Sequence, residues 1–198
     1  LLLIAVLLVV AVSAAAWVIN PVSAGCVFLG AFFYGVVYTV WLKRRSWLNI
    51  VIGGLAGSFA VLAGAAAVDP ALGPHGLLLA LVLFLWTPPH FWSLAIANHE
   101  EYAAAGIPML PVVVGTARAA RIVLWSTLAL ALTALLPGLF GAGPVYMAGA
   151  VAGGGYFIYK TWRLAQAPLR KTAMGAFFAS LVQLSLLLAA ATLDSLLR

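Results

Sequence analysis

Residues able to do chemistry crowd into one stretch of this 198-residue sequence, Leu85 to Gly115. Within it Pro88, Pro89 and His90 fall inside an apolar run, and Glu100, Glu101 and Tyr102 fall where that run ends. Adjacent prolines remove two helical N–H donors and free carbonyls a turn earlier, a defect of about 3 kcal/mol or more per proline in a soluble helix. A bilayer tolerates such backbone only where it is packed in protein or lines a wet cavity, so a broken helix is expected at the pair. His90, an ionisable group inside an apolar span, is then a functional candidate. The plainer alternative is a histidine hydrogen-bonded to a neighbouring helix.

Glu100 and Glu101 are half of the four acids in the chain. Paired carboxylates beside Tyr102, with Arg118 and Arg121 following, suit a divalent cation bridging to an anionic ligand. Mg²⁺ in particular takes few carboxylates together with phosphate oxygens. A second cluster runs from Tyr34 through Tyr38 and Trp41 to Lys43, Arg44, Arg45 and Asn49. Lys as a point charge and Arg as a planar fork can together hold a diphosphate. Each cluster also has an ordinary reading: two acids on a solvated loop, and three cations at the end of a membrane helix.

The elements that position these residues follow from composition. Hydrophobic residues make up 66% and charged residues 7% of the chain, and the mean hydropathy is +1.17. A soluble domain carries about a quarter charged residues, so this chain cannot face water all round and is read as a membrane protein. The net charge of +6 is too thinly spread for a nucleic-acid domain. The single Cys26 excludes a disulfide framework within the chain and a cysteine-based metal cluster. The chain opens on Leu1 and is apolar at once, without a basic leader; it reads as a fragment lacking an N-terminal part.

A helix needs about 20 apolar residues to cross about 30 Å of hydrocarbon. Seven such runs are expected, near 1–19, 22–42, 49–68, 76–97, 121–140, 144–162 and 174–193, joined mostly by Pro/Gly turns, in one domain without a linker. The runs are continuous rather than alternating, which favours helices over a barrel. Counting alternate loops, Lys43, Arg44, Arg45, Arg118, Arg121, Lys160, Arg163, Arg170 and Lys171 share one face, and Arg198 alone lies on the other. The positive-inside rule makes the first face cytoplasmic or its topological equivalent. Trp41, Trp47, Trp125 and Trp162 suit an interfacial belt. Gly53 with Gly57, and Gly149 with Gly153, suit close helix packing. Asp69 beside Pro70 suits a turn, and Asp194 the end of the last span.

Three motifs in order carry a resemblance: Tyr38-Thr-x-Trp-Leu-Lys43-Arg44-Arg45 with Asn49, then Trp86-Thr-Pro-Pro-His90-Phe91-Trp92, then Glu100-Glu101-Tyr102-x-x-Ala-Gly106-Ile-Pro108-Met-Leu-Pro111. Together they resemble the protohaem IX farnesyltransferases, a branch of the UbiA-type intramembrane prenyltransferases. That resemblance implies an all-α polytopic bundle of nine helices around a central cavity, of which this chain holds about the last seven. It also implies two acidic motifs that bind Mg²⁺ and a prenyl diphosphate on the cytoplasmic side. Glu100, Glu101 and Tyr102 match the second motif. The first, rich in Asn and Asp, belongs after the family's second helix, and no Asn-x-x-x-Asp-x-x-x-Asp pattern occurs here.

The implied reaction transfers a farnesyl group from farnesyl diphosphate to a vinyl group of haem B, with addition of water. Glu100 and Glu101 would hold the metal, with His90 and Tyr38 completing the catalytic set. Lys43, Arg44, Arg45, Asn49, Tyr102, Arg118 and Arg121 would contact substrate beside Trp86, Phe91 and Trp92, whose ring faces can stabilise an allylic cation. His90 could orient the haem, ligate its iron or manage a proton. The implied setting is a lipid bilayer, the bacterial plasma membrane or else the mitochondrial inner membrane. Implied partners are other proteins of haem A synthesis or cytochrome oxidase assembly. Two other readings compete: a prenyltransferase for a quinone or chlorophyll precursor, and a non-catalytic haem carrier using His90 and His99.

Overall fold

The computed structural model describes residues 2–197; Leu1 and Arg198, the cation assigned to the far face, lie outside the described residues. The described residues form helices and turns without strands. Five segments are long and apolar enough to cross a membrane: Pro21–Leu42, Asn49–Val68, Pro74–Ala97, Thr116–Phe140 and Arg170–Leu196. Two further rods complete the seven expected. α1, Leu2–Val18, has 17 residues, and Pro144–Gln166 has 23, among them a Gly-rich run, tyrosines and two cations that dilute its apolarity.

Pro21–Leu42 begins as α2, Pro21–Phe32, and continues as a π-helix over Phe33–Leu42. Asn20 starts it by accepting the Ser23 N–H at 2.8 Å, with Pro21 in the first turn, where no donor is needed. The next rod is split into α3, Asn49–Gly53, and α4, Leu55–Val68. α5 spans Pro74–Ala97, and the short α6, His99–Ala104, and α7, Leu110–Val114, follow it. α8, Thr116–Thr133, passes through a 3-10 turn at Leu136–Phe140 to α9, Pro144–Gln166, and α10, Arg170–Leu196, closes the chain.

Two expectations are corrected. Pro88 and Pro89 do not break their span, because α5 runs through them. The pair is buried, and hydroxyls serve the neighbouring backbone, with Thr87 Oγ1 donating to Leu83 O at 2.9 Å and Ser93 Oγ to Pro89 O at 2.6 Å. The interruption comes instead at Asn98 (φ −117°, ψ 38°). Second, Arg118, Arg163, Arg170 and Lys171, expected in loops, lie inside the ends of α8, α9 and α10. Lys and Arg are good helix formers, and their long stems let a helix run past the hydrocarbon edge while the charge stays wet.

Packing divides the bundle in two. α5, α8, α9 and α10 close into a four-helix group, α5 meeting both α8 and α10. From α5 a row extends outward through α4 and α2 to α1. Glycines set the closest approaches. A Cβ at Gly149 would collide with Ala190, and one at Gly153 would lie 3.1 Å from Gln183 Cα, so α9 and α10 meet nearly backbone to backbone. Trp41, Trp47, Trp125 and Trp162 are all exposed on the outer surface, as residues of an interfacial belt would be. Asp194 does more than end α10. It is buried, and its carboxylate accepts the N–H groups of Gly143 at 2.8 Å and Tyr146 at 3.3 Å at the start of α9.

Candidate functional site

The π-helix shapes the first wall. Its bonds run i to i+5, as where the Lys43 N–H donates to Tyr38 O at 2.9 Å, and a π-helix of ten residues is rare and tends to mark functional positions. The aromatic-rich helix end is therefore carried directly into the basic turn. Lys43 is half-buried, whereas Arg44 and Arg45 are exposed. Asn49 is fully buried and donates from Nδ2 to Lys43 O at 3.2 Å, so it braces the basic turn from inside rather than facing outward.

Behind this turn lies a cavity of about 390 Å³, lined by Tyr34, Tyr38, Gly53, Gly54, Gly57, Leu83, Trp86, Thr87 and Phe91 among others. The glycines make room. A Cβ on Gly53 would sit 2.7 Å from Tyr38 Cδ2, and one on Gly54 would sit 3.1 Å from Thr87 Cβ. The cavity is thus an apolar slot with aromatic walls between the π-helix, α3, α4 and α5. Trp92, expected beside Trp86, is buried elsewhere, with its ring 6.5 Å from that of Trp47.

His90 lies next to this wall but turns toward α10. Its ring stacks on Trp86 (centroids 4.0 Å apart) and Phe177 (4.6 Å), with Phe91 edge-on at 4.9 Å. Nδ1 lies 2.7 Å from Ser180 Oγ, and the Trp86 indole N–H donates to Ser180 O at 2.9 Å. Ser180 escaped the sequence reading because only a partner 90 residues away gives it a role.

The acids occupy a separate polar recess. The break at Asn98 ends α5 and starts α6, which carries Glu100 and Glu101 on its first turn, both exposed. A recess of about 470 Å³ is lined by His99, Glu100, Glu101, Thr116 and Arg170 with Ile96 and Ala97. Glu101 also faces a second recess of about 310 Å³ with Asn98, Tyr102, Ala105 and Ile107. The turn that follows needs glycine, with Gly106 at φ +64°, and Gly115 enters α8 at φ +80°. Arg118 and Arg121 are exposed on α8 and line neither recess. The cation facing Glu100 and Glu101 is Arg170, at the start of α10; its place beside the acids depends on tertiary packing that nothing in the sequence spacing reveals. Among the described residues no group of three or more His, Cys, Asp or Glu side chains could hold a metal ion alone. A cation here needs oxygen ligands from its own substrate or from water.

The profile of the UbiA prenyltransferase family matches residues 1–189. The chain is 62% identical over 191 residues to protoheme IX farnesyltransferase 2 of Paramagnetospirillum magneticum, covering 96% of this chain and 66% of that protein. It is 50% identical over 190 residues to protoheme IX farnesyltransferase 1 of the same organism, covering 96% of this chain and 67% of the relative. A protoheme IX farnesyltransferase of Roseiflexus castenholzii is 47% identical over 177 residues, covering 89% of this chain and 33% of its own length. The chain thus spans about two thirds of the length of its two Paramagnetospirillum relatives and one third of the Roseiflexus protein. No solved structure matches it. With the family profile covering nearly the whole chain, and a helical membrane bundle that holds an acidic recess and an aromatic slot, this chain belongs to the UbiA prenyltransferase family.

Proposed function

We propose that the protein carrying this chain transfers a farnesyl group from farnesyl diphosphate to a vinyl group of haem B, giving haem O and diphosphate. The observation that carries this reading is the 62% identity to a protoheme IX farnesyltransferase over 96% of the chain, a span that includes every motif residue named above. The geometry supports it: an aromatic slot of about 390 Å³ lies directly behind the basic turn at Lys43. Such a slot suits an apolar prenyl tail, with the diphosphate near Lys43, Arg44 and Arg45.

Glu100 and Glu101 would suit Mg²⁺, which binds to few carboxylates and takes its remaining ligands from substrate phosphate oxygens and water. Two exposed carboxylates on one open recess, without a third side-chain ligand among the described residues, are that kind of donor set. Bound there, Mg²⁺ would neutralise charge on the departing diphosphate. Arg170 and the basic turn add fixed positive charge for the same leaving group. The C–O bond of the allylic diphosphate breaks, and both electrons leave with the diphosphate. The vinyl π electrons form the new C–C bond, water captures the cation left beside the porphyrin ring, and a proton is released. Tyr34, Tyr38, Trp86 and Phe91 line the slot, where aromatic rings would stabilise the allylic cation until the vinyl group attacks. His90, one residue from the slot wall, acts on the haem. The bilayer is the bacterial plasma membrane, with the cationic helix ends in the cytoplasm. Proteins of haem A synthesis and cytochrome oxidase assembly are the fitting partners.

The test supplies the full-length protein, in proteoliposomes, with haem B, farnesyl diphosphate and Mg²⁺, and follows the porphyrin by chromatography and mass spectrometry. A haem product heavier by one farnesyl group and one hydroxyl is expected. Prenylation of a quinone precursor with haem unchanged would overturn the reading. His90→Ala should impair haem use and leave farnesyl diphosphate affinity nearly intact; normal haem turnover in a folded His90→Ala protein would remove His90 from the mechanism.

A further inference from the structure

Ser180 stands at a junction where one proton must serve two short contacts. Its Oγ lies 2.6 Å from Phe177 O and 2.7 Å from His90 Nδ1. A backbone carbonyl only accepts, a serine hydroxyl has one hydrogen, and a neutral imidazole carries its proton on one nitrogen. If the hydroxyl donated to Nδ1, two oxygens would face each other at 2.6 Å with no hydrogen between them. Both contacts are satisfied in one arrangement: Ser180 O–H donates to Phe177 O, and His90 Nδ1–H donates to Ser180 Oγ. The ring cannot swing to escape this choice, because Trp86 and Phe177 close its two faces at 4.0 and 4.6 Å. Ser180 is itself held, since its carbonyl accepts the Trp86 indole N–H at 2.9 Å and its side chain is fully buried.

We propose that Ser180 is a positioning residue that fixes His90 as the Nδ1–H tautomer and so leaves the lone pair on Nε2. Histidine ligands and bases work through whichever nitrogen the partner of the other nitrogen leaves free. Ser180 would thereby decide that His90 meets its substrate as a lone-pair donor, able to ligate iron or accept a proton, and not as an N–H donor. That consequence rests on the assignment of His90 to haem made above, whereas the tautomer itself rests only on the contacts of Ser180.

The experiment labels the histidines of the full-length protein with ¹⁵N and reads the two ring nitrogens of His90 by NMR in detergent or nanodiscs, the signal being assigned by its loss in His90→Gln. A protonated-type signal at Nδ1 and an unprotonated-type signal at Nε2 are expected in the unmodified protein. Ser180→Ala should let the Nε2–H form appear, while Ser180→Thr, which keeps the hydroxyl, should retain the original pattern. An Nε2–H signal in the unmodified protein would overturn the proposal, as would a Ser180→Ala protein with its tautomer unchanged. The measurement on the unmodified protein decides even if Ser180→Ala fails to fold. A haem titration on the same samples separates the two claims. The expected tautomer together with unaltered haem use would uphold Ser180's role and overturn only the haem assignment of His90.

Discussion

Gly53 and Tyr38 touch so closely that a methyl group on the glycine would lie 2.7 Å from the tyrosine ring. The contact sets the width of the slot, because both residues line it. Gly53→Ala should therefore push Tyr38 into the space proposed for the farnesyl tail. Overpacking of this kind costs about 1–3 kcal/mol, so farnesyl diphosphate should bind roughly 5- to 150-fold more weakly. Gly25→Ala, where an added Cβ meets nothing within 4 Å, serves as the control. Titration of both variants with a non-reactive farnesyl diphosphate analogue checks this, and equal affinities would place the tail elsewhere.

The acidic pair predicts a metal dependence. Glu101 faces both polar recesses and Glu100 only one, so the two carboxylates should not be equivalent. Glu101→Gln should raise the Mg²⁺ concentration needed for half-maximal rate and lower the maximal rate on the order of 100-fold, with Glu100→Gln milder. Steady-state rates over a Mg²⁺ titration decide. If both variants follow the unmodified curve, the acids are merely solvated.

Cations separate in the same way. Lys43 adjoins the slot through its backbone bond to Tyr38, and Arg170 lines the acidic recess, whereas Arg118 and Arg121 line neither recess and are exposed. Loss of a charge-assisted hydrogen bond is worth about 1.5–3 kcal/mol. Lys43→Ala and Arg170→Gln should each weaken diphosphate binding about tenfold or more and spare haem binding. Arg118→Gln should change either ligand's affinity by less than about twofold, since an isolated exposed charge contributes little. A calorimetric comparison with inorganic diphosphate in the presence of Mg²⁺ would show it. Parallel losses for haem and diphosphate would indicate a folding defect instead.

What the sequence revealed, and what it hid, follows the range of the forces involved. The seven rods were legible because apolar length is a local property. Lys and Arg carried α8, α9 and α10 beyond their apolar runs at the cationic end, while at the other end α8 gave way to a 3-10 turn and α10 ran on to Leu196. The proline pair misled because its cost in an isolated helix was read without the burial that absorbs it. The π-helix at Phe33–Leu42 left no local mark, since its residues would serve equally in an α-helix. Tyr38, Trp86 and Phe91 were each named and do share one cavity, yet its glycine side at Gly53 and Gly57 read only as helix packing. Arg170 and Ser180 entered through contacts between distant helices, which no spacing along the chain encodes.

Sidedness gives a prediction that does not depend on chemistry. The acidic recess is lined from both the α6 to α8 region and the start of α10, so these chain segments share one end of the bundle. Single cysteines placed at Ala104 and Leu72, in a protein with the buried Cys26 replaced, should react with an impermeant label from opposite sides of sealed vesicles. The Ala104 site should be cytoplasmic, where the cations gather. Labelling of both from one side would mean that α5 does not cross the membrane.

The far end of the bundle is held by one carboxylate. Asp194 on α10 accepts the N–H groups of Gly143 and Tyr146, donors at the start of α9 that have no partner within their own helix. It therefore staples two helices that otherwise meet through small residues, and it does so at the end opposite the acidic recess, beside His75 and Tyr146. Asp194→Ala should leave these donors without that acceptor and cost about 2–3 kcal/mol, visible as a lower thermal midpoint in detergent. Asp194→Asn keeps one oxygen but turns an N–H₂ group toward the same donors, so it should recover only part of the loss. Neither change touches the slot or the recess, so activity per folded molecule should stay near normal below the transition. A loss of turnover at unchanged thermal stability would instead give this carboxylate a part in the reaction.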